Sequence, residues 1–398
     1  MKPTAVNRNI LLLGLTSFFG DVASEMVVPL LPAFLVQLGG GASFIGLIEG
    51  SAEAVASLFK YLSGRLADRV PRLLPLAAAG YAISGAVRPL LALCAAPWQV
   101  LVLRCTDRIG KGVRTSPRDK LLTLSAPEGA LAEAFSFHRG MDHLGAAVGP
   151  LGAAALLYAV PGDLRRVFLI ASVFGGVALL SLLLVREKPA QPNPEKVAVA
   201  TIASASVPHP GGKARVPPAL LAAIGLFTLG NSSDALLLLR AQSLGVPAAQ
   251  LPLLWTVLHF VRAGLSWPLG RAADRLGRRA ALACGWVWYA LCYLGFALAS
   301  SPGQVWALFA AYGLVAGLTE GSERALISAA VPESRRGSAL GLYNLITGLG
   351  LMVASVTAGL LWEKVSPTAA LGLGSLFAVL AAVALLVDRG AAGASRAR

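Results

Sequence analysis

The sequence predicts an all-α polytopic membrane protein with 12 transmembrane helices in two pseudo-symmetric six-helix bundles. Its 398 residues are 56% hydrophobic and only 14% charged, which leaves too few charges to cover the surface of several soluble domains. Apolar runs of about 20 residues, the length that crosses a bilayer, recur along the whole chain. Short motifs also recur in both halves of the chain, which indicates a duplicated unit.

Each apolar run is interpreted as one transmembrane span. The first run, 10–38, is longer than the apolar core of a secretory signal and is followed by many others, so it is predicted to be retained. The twelve spans begin near residues 10, 43, 73, 98, 131, 166, 218, 249, 280, 303, 337 and 366. The four cysteines are spaced neither as a zinc site nor as a disulfide framework. No metal and no cofactor are therefore expected.

One long connection interrupts the series of short loops. Residues 187–216 are rich in Pro, Ala, Ser and Lys, a composition typical of a flexible linker. The predicted domains are an N-terminal bundle over 1–186, a cytoplasmic linker over 187–216, and a C-terminal bundle with a short tail over 217–398.

Basic residues set the predicted orientation. Lys and Arg gather at the N-terminus, after spans 2, 8 and 10, in the linker and at the C-terminus, whereas the loops "QLGGGAS", "CAAPW" and "SSPGQ" carry none. The positive-inside rule then places both termini in the cytoplasm. The protein is expected to be a multi-pass protein of the plasma (inner) membrane. The net charge of +14 reflects this topology and attraction to the lipid surface, and no nucleic-acid partner is expected.

A basic motif occurs twice, each time two spans into a half. The stretch "GRLADRVPR" occupies residues 64–72 and "GRAADRLGRR" occupies residues 270–279. The chain here resembles the major facilitator superfamily, whose cytoplasmic signature has a Gly, three residues, Asp-Arg, one residue, and then Gly with basic residues. The resemblance implies a twelve-helix secondary transporter and a cytoplasmic gate made of Gly64, Asp68, Arg69, Gly270, Asp274, Arg275 and Arg278. The first copy departs from the signature because Pro71 stands at the second Gly.

Span 5 contains a second motif, "GAAVGPLG". Its residues Gly145, Gly149 and Pro150 are similar to the glycine-proline motif of proton-coupled antiporters, which implies antiport. Close helix packing through small residues is the alternative, and it is compatible with that function.

Span 4 carries a basic stripe. At 100° per residue its members fall within an arc of about 120°, and so dense a stripe cannot face lipid without a large cost. The stripe consists of Arg104, Arg108, Lys111, Arg114 and Arg118. The resemblance implies that spans 1, 4, 7 and 10 line a central cavity, so Arg104 and Arg108 are expected to meet an anionic substrate. An internal ion-pair network that includes Asp107 is the alternative, and the inner end of the stripe could lie at the membrane interface.

Carboxylates at helical spacing in spans 1, 2 and 5 are candidates for a proton relay. The candidates are Asp21, Glu25, Glu53 and Asp142, with Asp21 or Asp142 preferred as the carrier. Burial and nearby arginines change the proton affinity of a carboxylate, so a conformational change can load or release a proton. Fixed salt bridges between spans are the alternative for any single residue.

Further candidate substrate contacts lie on other spans. These are His138 and Arg139 in span 5, Asn231 and Asp234 in span 7, Trp255 and His259 in span 8, and Glu320 and Glu323 in span 10. Trp255 with His259 could stack on a flat ligand, although an aromatic at helical spacing is more often a packing residue. The chain has no Gly-x-Ser-x-Gly, Walker or HExxH pattern, which argues against an enzyme and against ATP-driven transport.

The predicted function is proton-coupled secondary transport that exports a small organic solute, anionic or zwitterionic, by alternating access. The driving force is the proton gradient, and the partners are the solute, protons and the lipid bilayer around a monomer. One alternative is a proton symporter that imports a metabolite or a metal chelate. Another is a membrane scaffold that has lost transport.

Overall fold

The structure is a computed structural model that describes residues 7–67, 69–127, 131–187, 216–331 and 336–387. Within these ranges the chain forms helices and no strand. Twelve spans follow one another: Arg8–Gln37, Ala42–Ala67, Leu74–Leu91, Pro97–Ser125, Leu131–Ala159, Leu164–Leu183, Pro218–Ser243, Leu251–Leu276, Arg278–Leu298, Pro302–Ala329, Arg336–Lys364 and Pro367–Val387. They are called spans 1 to 12, and the predicted all-α class is confirmed.

The spans differ in how apolar they are. Eight helices of the described chain are long and apolar enough to cross a membrane by length and composition. The other four, spans 4, 5, 8 and 10, are 26 to 29 residues long and contain the buried polar side chains described below. Several of their charged side chains, such as Arg104 and Asp142, are buried inside the protein, where they avoid the large cost of facing lipid.

The packing repeats with a period of six spans. In the first six, span 1 packs on spans 5 and 6, span 4 packs on spans 2 and 3, and span 3 packs on span 6. In the last six, span 7 packs on spans 11 and 12, span 10 packs on spans 8 and 9, and span 9 packs on span 12. Each pair therefore has its counterpart six spans later, which confirms two pseudo-symmetric bundles.

The repeat extends to helix capping. Spans 4 and 10 both begin with Pro, which fits the first turn because it needs no N–H donor there. Gln99 accepts hydrogen bonds from the backbone N–H groups of Ala95 and Ala96, at 2.7 and 3.2 Å. Gln304 accepts from those of Ser300 and Ser301 at the same two distances. The two halves thus start equivalent helices with the same device.

The ends of the helices form two faces of the bundle. At the linker end, Asn9 donates to the carbonyl of Arg186 at 2.8 Å, and Glu187 accepts from the backbone of Leu73 at 2.6 Å. At the opposite or far end, Arg165 donates to the carbonyl of Cys94 at 2.7 Å. These three hydrogen bonds join helices of the first half and connect neighbouring helices at each face.

Contacts between the halves concentrate toward the far end. Span 2 lies against span 11, and span 5 lies against span 8. A Cβ at Gly50 would stand 2.8 Å from the Cα of Met352, and one at Gly46 would overlap the carbonyl of Ser355. At the rim, the Glu363 carboxylate of span 11 accepts from the backbone N–H of Ser43 at 3.0 Å. The halves are therefore closed against each other at the far end.

The linker itself occupies residues 187–216 by prediction, and 188–215 lie outside the described residues. The domain boundaries at 186 and 217 therefore stay predictions. Described linker-end bonds such as Arg279 to the Leu385 carbonyl, 2.8 Å, join helices of the same half.

Gly50→Ala should destabilise the protein because its methyl group would press on the backbone of span 11. Overpacking of this kind costs about 1–3 kcal/mol, so the melting temperature in detergent should fall. Gly176→Ala is the matched control, because a Cβ at Gly176 meets nothing within 4 Å. A helical Gly→Ala change in open space should be neutral or stabilising by up to about 1 kcal/mol. Equal melting temperatures for the two variants would contradict the close approach of spans 2 and 11.

Candidate transport site

The first span of each half is interrupted along its length. Pro29 and Pro32 in the sequence predict a bend in span 1, and there the span changes from α-helix to a 3-10 turn at Val28–Leu30, where Pro29 removes a backbone donor. Span 7 consists of Pro218–Gly230 and Asp234–Ser243, with Asn231 at the end of the first piece. Discontinuous helices at equivalent positions are a feature of transporter binding sites, because they expose backbone groups to a cavity.

Side chains of other spans satisfy the backbone at the interruption of span 7. The Tyr289 hydroxyl donates to the carbonyl of Gly230 and the Tyr293 hydroxyl to that of Ser232, both at 3.1 Å. Ser355 accepts from the N–H of Ser233 at 3.0 Å. Irregular backbone at membrane depth is tolerated when protein groups replace the missing helix bonds, and these contacts fix the geometry of the interruption.

Asp234 begins the second piece of span 7 and is held from two sides. Its Oδ1 accepts from the Tyr312 hydroxyl at 2.7 Å, and its Oδ2 accepts from the Arg262 guanidinium at 3.1 Å. Arg262 also lies over the Tyr312 ring, 5.5 Å from its centroid. The sequence places Asp234 in the site, and the structure shows it engaged in this bonded group.

Glu323 of span 10 is buried among aromatic side chains. Its Oε1 accepts from the Trp286 indole at 3.2 Å, and its Oε2 accepts from the Tyr343 hydroxyl at 2.5 Å. Glu323 thus joins spans 9, 10 and 11. The other candidate on this span, Glu320, has a side chain outside the described set.

Arg104 and Glu49 form the main ion pair of span 4. The Nε and a terminal nitrogen of Arg104 donate to the two Glu49 oxygens at 2.9 and 3.1 Å, the fork geometry that makes arginine–carboxylate pairs strong. Asp107 stands 3.5 Å from the other terminal nitrogen. The ion-pair alternative therefore describes Arg104 and Asp107, and Glu49 is the acid that fixes this arginine. Span 2 also carries a longer pair, Glu53 with Lys60 at 3.7 Å.

Arg108 lies one helical turn further along the same face and has no such partner. Its side chain is nine-tenths buried, with 9% of the residue exposed. Among the described residues its Nε has no hydrogen-bond acceptor, and no carboxylate lies within ion-pair distance. The two deeper arginines of the stripe therefore differ, because Arg104 is paired with a carboxylate and Arg108 is not.

The inner part of the stripe is buried within the first half. Arg114 stands over the Tyr81 ring, 4.2 Å from its centroid. Arg118 donates to Asp119 at 2.9 Å and to the Ser17 hydroxyl at 3.1 Å. Spans 1 and 3 therefore cover this part of the stripe, and its position at the membrane interface stays a prediction.

Asp142 of span 5 is the centre of a hydrogen-bonded group. The Ser17 hydroxyl donates to it in a short bond, which continues the contact that Arg118 makes to Ser17. His138 lies 3.6 Å away and Arg139 3.4 Å away. His138 is fully interior whereas the Arg139 side chain is 65% exposed, so this group extends from the interior to an accessible surface.

Asp21 is a carboxylate without a bond. The described residues offer it no hydrogen bond and no ion pair, although Asp142, Lys111 and Glu25 are near enough to interact with it electrostatically. Like charges at that range repel each other, and a proton shared between two carboxylates removes the repulsion. Asp21 and Asp142 are therefore two carboxylates whose charges repel each other within the site.

Glu25 connects the two halves. Its Oε2 accepts from the Trp255 indole of span 8 at 2.7 Å. The Trp255 ring meets His259 edge-on, with centroids 5.1 Å apart. Trp255 is thus a contact between halves and not a free stacking surface, and His259 has a buried Nε2 without an acceptor in the described structure.

The span 5 glycines bring spans 1 and 5 into contact. A Cβ at Gly149 would stand 2.7 Å from the Val22 carbonyl, and one at Gly145 would overlap the Phe18 carbonyl. Pro150 lies inside the helix just after them. The close-packing interpretation of the motif is confirmed, and it places Asp142 beside the residues of span 1.

The gate residues are only partly visible. Gly64, Arg69 and Arg278 lie at the linker end, and Gly277 joins spans 8 and 9 with φ of 88°, a conformation that favours glycine. Asp68 falls outside the described residues, as do the surroundings of Gly270 and the side chains of Asp274 and Arg275. The gate contacts therefore stay predictions.

Sequence reasoning missed the aromatic residues that support the second half. Tyr289 and Tyr293 are four residues apart, and the helical spacing could have placed them on one face. Their task depends on where span 7 is interrupted, which no local pattern in span 9 reveals. The role of Glu49 as the partner of Arg104 was missed for the same reason, because the two residues lie 55 positions apart.

The sequence matches a known protein family along its length. The profile of the Major Facilitator Superfamily matches residues 13–240 and 219–397. The chain belongs to this superfamily. The two matched segments overlap in span 7 and together cover spans 1 to 12, and members of the superfamily are transporters and not enzymes.

Similar sequences include transporters of the same superfamily. An MFS-type transporter of Methanocaldococcus jannaschii, MJ1317, is 32% identical over 394 residues, 96% of this chain and 95% of the relative. The multidrug resistance protein MdtG of Salmonella heidelberg is 26% identical over 181 residues, 44% of this chain and 43% of the relative.

Solved structures of the superfamily share the fold. A peptide transporter POT in complex with alafosfalin has a TM-score of 0.77 and 15% identity, covering 100% of this chain and 96% of that one. The nucleoside transporter NupG has a TM-score of 0.76 and 14% identity, covering 96% and 99%. At such identities the likeness shows the twelve-helix architecture of this facilitator.

Arg104→Gln should destabilise this facilitator, because it leaves the Glu49 carboxylate buried without its cation. Breaking one side of a buried pair costs about 3–5 kcal/mol, which should appear as a clear fall in melting temperature. The double variant Arg104→Gln with Glu49→Gln should recover part of the loss, and the cycle gives the coupling energy. Additive losses in the cycle would show that the two residues do not depend on each other.

Proposed function

We propose that this facilitator is a proton-coupled antiporter that exports a small organic solute, anionic or zwitterionic, by alternating access. The observation that carries the proposal is the set of buried charged side chains on spans 3, 4, 5 and 10, in two bundles that close on each other at the far end. Charges in a membrane protein interior are costly unless they serve a substrate or an ion. Spans 4 and 10 each make their main contacts within their own half.

The orientation follows from the basic residues. The positive-inside rule puts the linker end, with both termini, on the cytoplasmic side of the inner membrane. The contact of Glu363 with Ser43 at the far-end rim and the deeper bond of Trp255 to Glu25 then close the outer side. A solute would enter the site from the cytoplasm in this conformation, and a rocking motion that breaks these contacts would release it outside.

Proton coupling is assigned to Asp21 together with Asp142. Asp21 is unbonded and close to Asp142, while Asp142 holds span 1 through Ser17. A proton on this pair changes the repulsion between spans 1 and 5 and so favours one conformation over the other. Glu25 acts through Trp255 as a contact between halves, and Glu53 is engaged by Lys60.

The direction of transport rests on the span 5 motif and on the partial likeness to MdtG, a multidrug resistance protein. Import by proton symport is the second candidate, favoured by the fold shared with the peptide transporter POT and the nucleoside transporter NupG. Symport would move protons with the solute, and antiport would move them against it. A scaffold without transport would move neither.

Proton flux in oriented proteoliposomes with an internal pH dye tests the proposal. Anionic, zwitterionic and cationic solutes are offered in turn, and proton movement opposite to one class is expected. Asp21→Asn should abolish this proton movement while solute exchange without a gradient continues, because the site stays assembled. Asp163→Asn is the control, since Asp163 caps span 6 at the far end. Proton movement that survives Asp21→Asn would remove Asp21 from the relay, and co-movement would select symport.

Trp255→Phe should open the outer side more often, because it removes the indole N–H that Glu25 accepts. The measurement is labelling of Met352→Cys, in a background without other cysteines, by an impermeant maleimide added outside. Labelling should rise several-fold over the same protein with Trp255 intact. Trp306→Phe serves as the matched control, because Trp306 is partly buried against the hydrophobic core and makes no described contact with Glu25. Unchanged labelling in Trp255→Phe would show that this contact does not hold the halves together.

A further inference from the structure

We infer that Arg108 is the anion-binding residue of the site and that the solute carries one singly charged oxyanion, such as a carboxylate. The inference rests on the proposed transport function and specifies its solute. It also separates Arg108 from Arg104, which the stripe alone presents as equivalent.

The bonding of the neighbouring arginines singles out Arg108. Arg104 is bound by Glu49, Arg118 by Asp119, and Arg88 by the Ser24 hydroxyl at 3.0 Å. Arg114 lies over the Tyr81 ring, although its Nη1 also has no acceptor. Only for Arg108, among these arginines of the described structure, is there neither an acceptor nor a ring. Burying a guanidinium in this condition is unfavourable, and a ligand anion would remove that cost.

The terminal nitrogens of Arg108 remain reachable. Its Nε is buried from solvent and has no acceptor. The two terminal nitrogens are not among the fully buried, unpaired atoms of the described side chains. They also donate to no described residue. The planar end of the guanidinium therefore presents two parallel donors, the arrangement that binds a carboxylate or another oxyanion through both oxygens.

The cost of burial limits the charge of the ligand. Glu49, Glu53 and Asp107 interact electrostatically with Arg108 without bonding to it, and Lys111 beside it adds a positive charge. The attraction of a ligand to Arg108 doubles when the charge of the ligand doubles, whereas the cost of taking the ligand out of water rises with the square of its charge, so a single charge fits better. This argument favours a carboxylate over a phosphate monoester.

The position of Arg108 in the membrane suits a shared site. It lies eleven residues from the far end of span 4, about 17 Å at 1.5 Å per residue, and Glu25 lies twelve residues from the end of span 1, about 18 Å. Both are therefore near mid-depth. Arg104, one turn away, interacts electrostatically with Glu25, whose partner Trp255 belongs to the other half. A solute on Arg108 is thus near the contact that closes the outer side.

Equilibrium binding to the purified full chain in nanodiscs tests the inference without any gradient. The probes are matched acids and amides, namely benzoate with benzamide, hexanoate with hexanamide, and N-acetylphenylalanine with its amide, together with phenyl phosphate as a dianion. At least one acid should bind more tightly than its amide and than phenyl phosphate. Arg108→Gln should weaken that acid at least tenfold and leave the amide unchanged, and Arg108→Lys should lie between them. Arg166→Gln, which removes an exposed arginine at the far end, should bind as the original chain does.

The stability of the empty protein provides the second measurement. Arg108→Gln should leave the melting temperature unchanged or raise it, because it removes an uncompensated charge, whereas Arg104→Gln should lower it. The inference is overturned if no acid of the set binds, if phenyl phosphate binds more tightly than every acid, if acid and amide weaken equally in Arg108→Gln, or if Arg108→Gln melts as low as Arg104→Gln. Because binding is measured without protons moving, loss of proton coupling in proteoliposomes would leave this result untouched, and the reverse also holds.

Discussion

The structure depends on one constraint, that a charge inside a bilayer must be bonded within the protein or meet water or a solute in a cavity. Span 4 illustrates it most fully. Five basic side chains fall on one face of this helix, and packing on spans 2 and 3 keeps that face out of the lipid. The fork between Arg104 and Glu49 fastens spans 2 and 4 at mid-depth. Removing the positive charge would therefore disturb helix packing as well as the site.

Duplication explains how the same constraint is met twice with different chemistry. Both halves pack their spans in the same pairs, and both begin spans 4 and 10 with the same proline and glutamine cap. The first half fills its centre with arginines and carboxylates. The second uses tyrosines, whose hydroxyls bond the interrupted backbone of span 7 and the Asp234 carboxylate. The equal scaffold thus supports an asymmetric site, charged on one side and aromatic on the other.

Closure of the far end and the polar interior share side chains. Glycines at 46 and 50 allow span 2 to touch the backbone of span 11, which seals the bundle tightly. The Trp255 bond to Glu25 lies deeper and connects this seal to the charged residues. A change of charge at Glu25 would therefore act directly on a contact between the halves.

The sequence by itself determined the twelve spans, the duplication, the bend at Pro29 and the identity of most charged residues in the site. Hydrophobic length and repeated motifs are local properties, so they are readable without contacts. Helical periodicity also grouped Arg104, Arg108 and Arg114 on one face. It could not tell which of them is paired, because the partners lie on other spans.

Only the tertiary structure decided that Arg104 is held by Glu49, that Arg114 is covered by Tyr81, and that Arg108 is left unbonded. It also decided that Trp255 faces Glu25 across the halves and that Tyr289 bonds the interrupted span 7. These contacts join residues from 33 to 230 positions apart. The physical reason is that pairing depends on the distance between atoms after the helices have packed, and the order of residues along one helix does not contain that distance.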